Sequence, residues 1–445
     1  MFTFLKSSFN TRVLLVLGGL HVVFIVVFDK VTAFAPDENY YAAVFGSMYS
    51  SGFSISEGLG WQQGSVNGLR LIYLPAKALT LIGFSDLYSI RILSAAYSII
   101  SLFLLLKMSS TRKILGLSTR TWISVAFFIP SIFLWGSLGL RESFIFFSVI
   151  SIFYLLNENS NLAFRRRFIL LAGASCFILV SKNYLYVFLL ISILISLVLM
   201  CVTKGHLEIK LFKLLPALLI PLLVFPTVTL NIAVSAKEAI EVKLGELADT
   251  GTAGTGTAGT GTTNTVPTRG QTLHELSLQF DKNPIFSWLG NVSGVKSLIE
   301  EKSKSSYVPA GSIELIENAR QLQTQQPSLR DPLSILKGIF NFLFVPTPFL
   351  DNGSFFLNAQ SYESFAWYLY YLLLLILLMR LVKGHQVLSL QILASTLFTL
   401  GFLLFSVLIE TNDGTSVRHR AVLLMGILIM LAAMSQMSNK REEIQ

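Results

Sequence analysis

Apolar runs of roughly 20 residues recur along this chain, and that is the length a helix needs to cross the hydrocarbon of a bilayer. They fall over 12–29, 86–106, 121–138, 142–157, 167–181, 184–202, 211–231, 362–380, 386–408 and 420–437. Inside lipid every backbone N–H and C=O must find a partner within the protein, so such runs become helices that pack as a bundle. The expected fold class is an all-α polytopic membrane protein with about ten transmembrane helices. Composition agrees: 53% of the 445 residues are hydrophobic and only 13% are charged. The mean hydropathy of +0.64 is too high for an ordinary soluble domain. The first run follows the basic segment "MFTFLKSSFNTR". It offers no small-x-small cleavage site and reads as a retained span. Both cysteines, Cys176 and Cys201, lie inside apolar runs, so no disulfide framework is implied.

Charge sets the expected orientation. The segments "MFTFLKSSFNTR", "KMSSTRKILGLSTR", "FRRRF", "TKGHLEIKLFK", "RLVKGH" and "NKREEIQ" alternate with the spans and hold 16 of the 34 Lys and Arg. The remaining polar segments hold acids and bases in near balance. The positive-inside rule makes the basic face, with both termini, cytoplasmic. The net charge of +9 and the pI near 9.4 then follow from topology, and a nucleic-acid partner is not indicated. The chain divides into a transmembrane module at 1–231 with a first outer loop at 30–85, a long outer loop at 232–361, and C-terminal spans at 362–445. Within 69–83, "LRLIYLPAKALTLIG" is apolar but short and reads as an interfacial helix on the outer face. The tract at 249–265 is Gly, Thr and Ala with little else and reads as a flexible linker. Short amphipathic segments follow near 272–304 and 311–326. "DPLSILKGIFNFLFVPTPFL" reads as another surface-lying helix, ended by Pro346 and Pro348.

On this topology five polar clusters meet the outer boundary. They are Asp37 with Glu38 in "FAPDENYYAAVFG"; Arg70 with Lys77; Arg141 with Glu142 in "SLGLRESFIF"; Lys182 in "LVSKNYLY"; and "ETNDGTSVRHR" at 410–420, which carries Arg418, His419 and Arg420. Each alone is as well explained as a helix cap or a snorkelling side chain. Acids and bases converging from separate loops on one face suit chemistry on an anionic lipid: cations hold phosphate, and a carboxylate takes a proton from an incoming nucleophile. Pro36 suits the first turn of a short helix, which puts Asp37 and Glu38 near its positive end. The five histidines, His21, His206, His274, His385 and His419, show no ligand spacing. No cofactor is implied, although a divalent ion could sit between Asp37 and Glu142. No phosphate-cradling glycine loop is present for a nucleotide sugar.

Asp-Glu followed by an aromatic in the first outer loop resembles the GT-C superfamily of polyprenyl-phosphate-sugar-dependent membrane glycosyltransferases. Protein O-mannosyltransferases and the aminoarabinose transferase for lipid A belong to it. The resemblance continues through "GLRLIYLPAKALTLIGFSDLYSIRILSAAYSIISLFLLL", "PSIFLWGSLGLRESFIFFSVISIFYLL" and "ILLAGASCFILVSKNYLYVFLL", and covers about residues 10–200. It implies transfer of a sugar from a polyprenyl-phosphate donor to an envelope glycan, lipid or protein acceptor, on the outer face of a bacterial plasma membrane. It implies Asp37 as general base, Glu38 as alternative base or its partner, and Glu142 as a second acid. Arg70, Arg91, Arg141, Lys182, Arg418, His419 and Arg420 would hold the lipid phosphate. A single displacement inverts the anomeric centre. The main alternative is an O-antigen or exopolysaccharide polymerase or ligase working on an undecaprenyl-pyrophosphate-linked glycan, which fits the long loop and the "NDGTSVRHR" turn. A transporter would show internal repeats, mid-membrane charges and broken helices.

Overall fold

The structure, a computed structural model, describes residues 8–27, 38, 41–46, 72–157, 162–204, 213–224, 332–344, 348, 355–383, 389–409 and 413–442, apart from the side chains of 204, 332, 334, 355–360, 408–409, 413–418 and 437–442. The first span is α1 (Phe9–Val27). Residue 38 and residues 41–46 are helical. A short 3-10 turn at Leu74–Ala76 leads into α2 (Lys77–Leu81), at the place expected for the interfacial helix. The next span is α3 (Asp86–Met108), whose Ser85 hydroxyl caps the helix by accepting from the Tyr88 N–H. A hairpin of β1 (Lys113–Ile114) and β2 (Leu117–Ser118) follows.

The run expected to cross the membrane over 121–138 instead forms two short helices, α4 (Thr119–Ala126) and α5 (Pro130–Ser137). The cause is in "AFFIPSIF". Pro130 has no N–H to give a preceding turn, so it opens a new helix rather than continuing the old one. Then α6 (Arg141–Leu156) leaves α5 at an angle of 101°. Further along lie α7 (Phe164–Ser181), α8 (Asn183–Lys204) and α9 (Leu215–Val224). The C-terminal part adds α10 (Pro332–Phe344), α11 (Phe355–Val382), α12 (Leu390–Ile409) and α13 (Asp413–Glu442).

Six helices among the described residues are long and apolar enough to cross a membrane, or seven if α5 and α6 are one bent span. The protein is thus a helical, multi-pass membrane protein. Helix α13 is its axis: 94% of its apolar window is buried, against 22% for α1. A helix that is apolar on every side is stable only when surrounded. Gly426 lets α12 approach it, because a Cβ there would run into Thr399.

Hydrogen bonds between helix ends fix which ends share a side. Ser110 bonds Ser435, Asn157 bonds Gln436, Arg167 donates to Leu155 O, and Gln391 donates to Phe153 O. These join the C-terminal ends of α3, α6 and α13 to the N-terminal ends of α7 and α12. Lys107, Arg112, Arg165 and Arg166 belong to this end, which we call the basic end. The expected linker at 249–265, the amphipathic segments near 272–304 and 311–326, and the two ends of the run at 211–231 lie outside the described residues.

Candidate functional site

The opposite end gathers the N-terminal ends of α3, α6, α8, α11 and α13. Every expected site residue that is described lies there, in two groups. The first centres on Glu38. Its side chain is 0% exposed and Arg91, five residues into α3, is 1% exposed. Arg91 grips the carboxylate with both arms of its guanidinium: Nε donates to Oε1 at 2.6 Å and Nη2 donates to Oε2 at 2.9 Å. The Gly139 N–H donates to Oε1 at 3.1 Å. Tyr73 Oη donates to Gly139 O at 2.6 Å, so both backbone groups of this glycine are used. Only glycine fits here, because a Cβ would lie inside the Ile90 side chain. A chain break within a membrane protein must have its backbone groups satisfied. At the α5–α6 bend, Glu38 and Tyr73 do this.

Around this knot the polar groups continue. Glu142 is buried in the first turn of α6, where the helix dipole favours an acid. Arg141 beside it is partly exposed, and its Nε has no hydrogen-bond partner. Burial, reinforced by neighbouring Tyr41 and the Glu142 carboxylate, pushes the Tyr73 phenol well above the usual tyrosine range and keeps it a donor. Ser94 and Ser143 share a hydrogen bond of 2.6 Å between α3 and α6. His21 of α1 reaches Ser137 at the end of α5, with Nδ1 and Oγ 2.7 Å apart, and stacks on Phe133.

The second group centres on Glu363, near the start of the apolar stretch of α11. Its carboxylate sits on the N-terminus of α5. The Ser131 N–H donates to Oε2 at 2.9 Å, and the Ser131 hydroxyl and Trp367 Nε1 both donate to Oε1, the latter at 2.7 Å. The Ile129 N-cap of α5 offers no side-chain acceptor, so an acid from another helix takes that place. Arg420 of α13 is an electrostatic neighbour of Glu363. Its own Nε donates to Phe342 O of α10 at 2.6 Å, and its guanidinium lies over the Phe342 ring. His419 Nε2 is 3.0 Å from Tyr184 Oη, and Lys182 Nζ lies 5.4 Å from the centre of the Tyr184 ring. Two of the expected phosphate-binding residues, Lys182 just after α7 and His419 of α13, thereby meet at Tyr184, while Arg420 turns to Phe342 and Glu363.

The two groups are the two ends of one short helix. The eight residues of α5 span about 12 Å at 1.5 Å per residue. Glu363 holds its beginning, and Glu38 holds the turn after its end. Sequence reasoning placed Glu38 and Arg91 in separate roles, as acid and phosphate ligand; the structure spends them on each other. Glu363 and His21 were missed. The signal for Glu363 was an acid just inside an apolar run, beside Trp367, where ionisable groups are rare. Asp37 and Arg70 lie outside the described residues, and Arg418 is described only as backbone in the first turns of α13. Among the described residues no three His, Cys, Asp or Glu side chains gather to hold a metal ion. Compared with family models, with curated proteins and with solved structures, the chain finds no match.

Proposed function

We propose that this protein is an integral membrane glycosyltransferase that moves a sugar from a polyprenyl-phosphate donor to a hydroxyl acceptor at the end of the bundle opposite the basic end. The observation that carries the reading is the Glu38–Arg91–Gly139 knot. It ties the side chain of the residue that follows Asp37 in sequence to the start of α3 and the α5–α6 turn. A base must be held in position to be effective, and in this reading the anchored Glu38 serves that need for its sequence neighbour.

In this reading Asp37 takes the proton of the acceptor hydroxyl as its oxygen bonds to the anomeric carbon. The bond from that carbon to the phosphate oxygen breaks, and the polyprenyl phosphate leaves with the electron pair. Arg141, which is partly exposed and has an unused Nε, and Lys182 are the cations that stabilise the departing charge. Glu38 acts as an anchor rather than a base, because its carboxylate is already fully engaged. A single displacement inverts the anomeric centre.

Transfer from a labelled polyprenyl-phosphate sugar in membranes tests this. Asp37→Asn keeps the shape and removes the proton acceptor, so activity should fall by about 10² to 10⁴-fold with an unchanged unfolding midpoint. Full activity in that variant would sink the assignment. If Asp37→Asn is active and Arg418→Ala is dead, the polymerase reading takes its place. The broken pair α5–α6 is the one observation that favours a transporter, since half-helix ends in the membrane often face a substrate. Here the N-terminus of α5 is already filled by Glu363, and this weighs for the transferase. Uptake of a lipid-linked sugar into proteoliposomes without chemical turnover would reverse that weighting.

A further inference from the structure

The hairpin between α3 and α4 pairs Lys113 with Ser118 and Ile114 with Leu117. Its turn residues both have positive φ, 51° at Leu115 and 81° at Gly116. A two-residue hairpin turn of this hand needs that, and Asn, Asp or Gly normally fill it. Glycine adopts the conformation freely; leucine adopts it against the clash of its Cβ with the backbone. The root of the hairpin is firmly held. Trp122 Nε1 donates to Ile114 O at 2.9 Å, and the Thr119 N–H and hydroxyl both donate to Arg112 O, at 2.8 and 3.0 Å. Ser110 is tied to Ser435 of the central helix by two bonds of 3.0 Å. The tip is the reverse of the root: Leu115 is 53% exposed and Leu117 is 44% exposed. A rigid base thus presents two leucines outward, one of them in a strained conformation.

The hairpin joins the end of a membrane-crossing helix, Met108, to the start of α4 at Thr119, so it lies at the bilayer boundary. Lys107, Arg112, Lys113 and Arg120 flank it in sequence. We infer that it is a membrane anchor: Leu115 and Leu117 enter the acyl region of the leaflet at the basic end, and Lys113 with Arg112 contacts the phosphates of anionic phospholipid. Apolar side chains beside cations on long stems, here Arg112 and Lys113, match a headgroup layer above hydrocarbon. Two leucines are far too little surface for a stable protein interface. This inference is independent of the transferase reading.

The test uses the full chain with Cys176 and Cys201 replaced by Ala, and a spin label on Leu115→Cys or, separately, on Leu117→Cys. Vesicles are made of equal parts phosphatidylcholine and phosphatidylglycerol. Collisions with oxygen, which concentrates in hydrocarbon, should exceed collisions with a water-soluble nickel chelate at both sites. The labels should sit several-fold less protected from nickel in pure phosphatidylcholine, and Lys113→Gln should erase that difference between lipids. Nickel access at both sites in the mixed vesicles overturns the anchor, as does immobilisation that appears only on adding a soluble protein fraction. Equal immersion in both lipids overturns the phosphate contact. Leu115→Gly provides a check that needs no label. It relieves the turn, so in detergent the unfolding temperature should hold or rise. A fall would mean that Leu115 packs on its own chain, and would also overturn the anchor.

Discussion

Glu38 and Glu363 are both carboxylates drawn into the apolar body of the protein, one in each half, and they are stabilised in opposite ways. Glu38 faces a cation, held bidentately by Arg91 with one backbone N–H added. Glu363 is satisfied by neutral donors, namely the two groups of Ser131 and the Trp367 indole, and Arg420 gives its Nε to a backbone carbonyl nearby. A charge pair gains much from direct contact but incurs the desolvation cost of both ions, so it fails badly when half of it is removed. A carboxylate on a helix N-terminus depends on the placement of that helix and spreads its stabilisation over several weaker bonds. One is a lock between two elements; the other is a cap on a third. Since α5 lies between them, each holds one end of the same short helix.

The largest effect should come from breaking the lock. Arg91→Met leaves Glu38 buried with only Gly139, and should lower stability by about 3–5 kcal/mol. Glu38→Leu added to Arg91→Met should recover much of that, because no charge is then stranded. Unfolding midpoints in detergent read both, and equal losses in the single and double variants would show that the pair is no lock. Glu363→Gln should cost less, about 1–3 kcal/mol. The amide keeps one acceptor oxygen where three donors point at two, so one donor meets an NH₂. If Glu363→Gln proved more damaging than Arg91→Met, the contrast between lock and cap would be reversed. The smallest change is Tyr73→Phe, which removes the bond to Gly139 O and should cost about 1 kcal/mol. A loss as large as that of Arg91→Met would show that the turn, rather than the ion pair, carries the knot.

Several of these features could be read from the chain and others could not. The acid pair at Asp37–Glu38 stood out because two carboxylates beside a span are costly. That Glu38 would be buried, and that its partner would be Arg91, was not readable: adjacent residues on a helix point about 100° apart, and nothing local says which way either faces. Pro130 was a visible breaker, but its apolar surroundings made the run over 121–138 look continuous. Hydropathy averages over a window, whereas a helix ends on one missing N–H.

What the sequence by itself determined is the class and the approximate helix bounds: a multi-pass helical protein, with helices α1, α3, α6, α7, α8, α11, α12 and α13 beginning and ending within a few residues of the apolar runs, except where α11 extends further at its N-terminal end and α13 at both ends; six of the described helices, or seven with the bent pair α5–α6, are long and apolar enough to span. That follows because the lipid imposes length and polarity on each segment separately. Only the tertiary structure decided that α13 is central, that α5 is a short strut between two buried acids, and that Arg91 answers Glu38. Those outcomes depend on which side chains meet across residues distant in sequence, where a carboxylate can be satisfied equally well by a cation, an indole or the end of a helix.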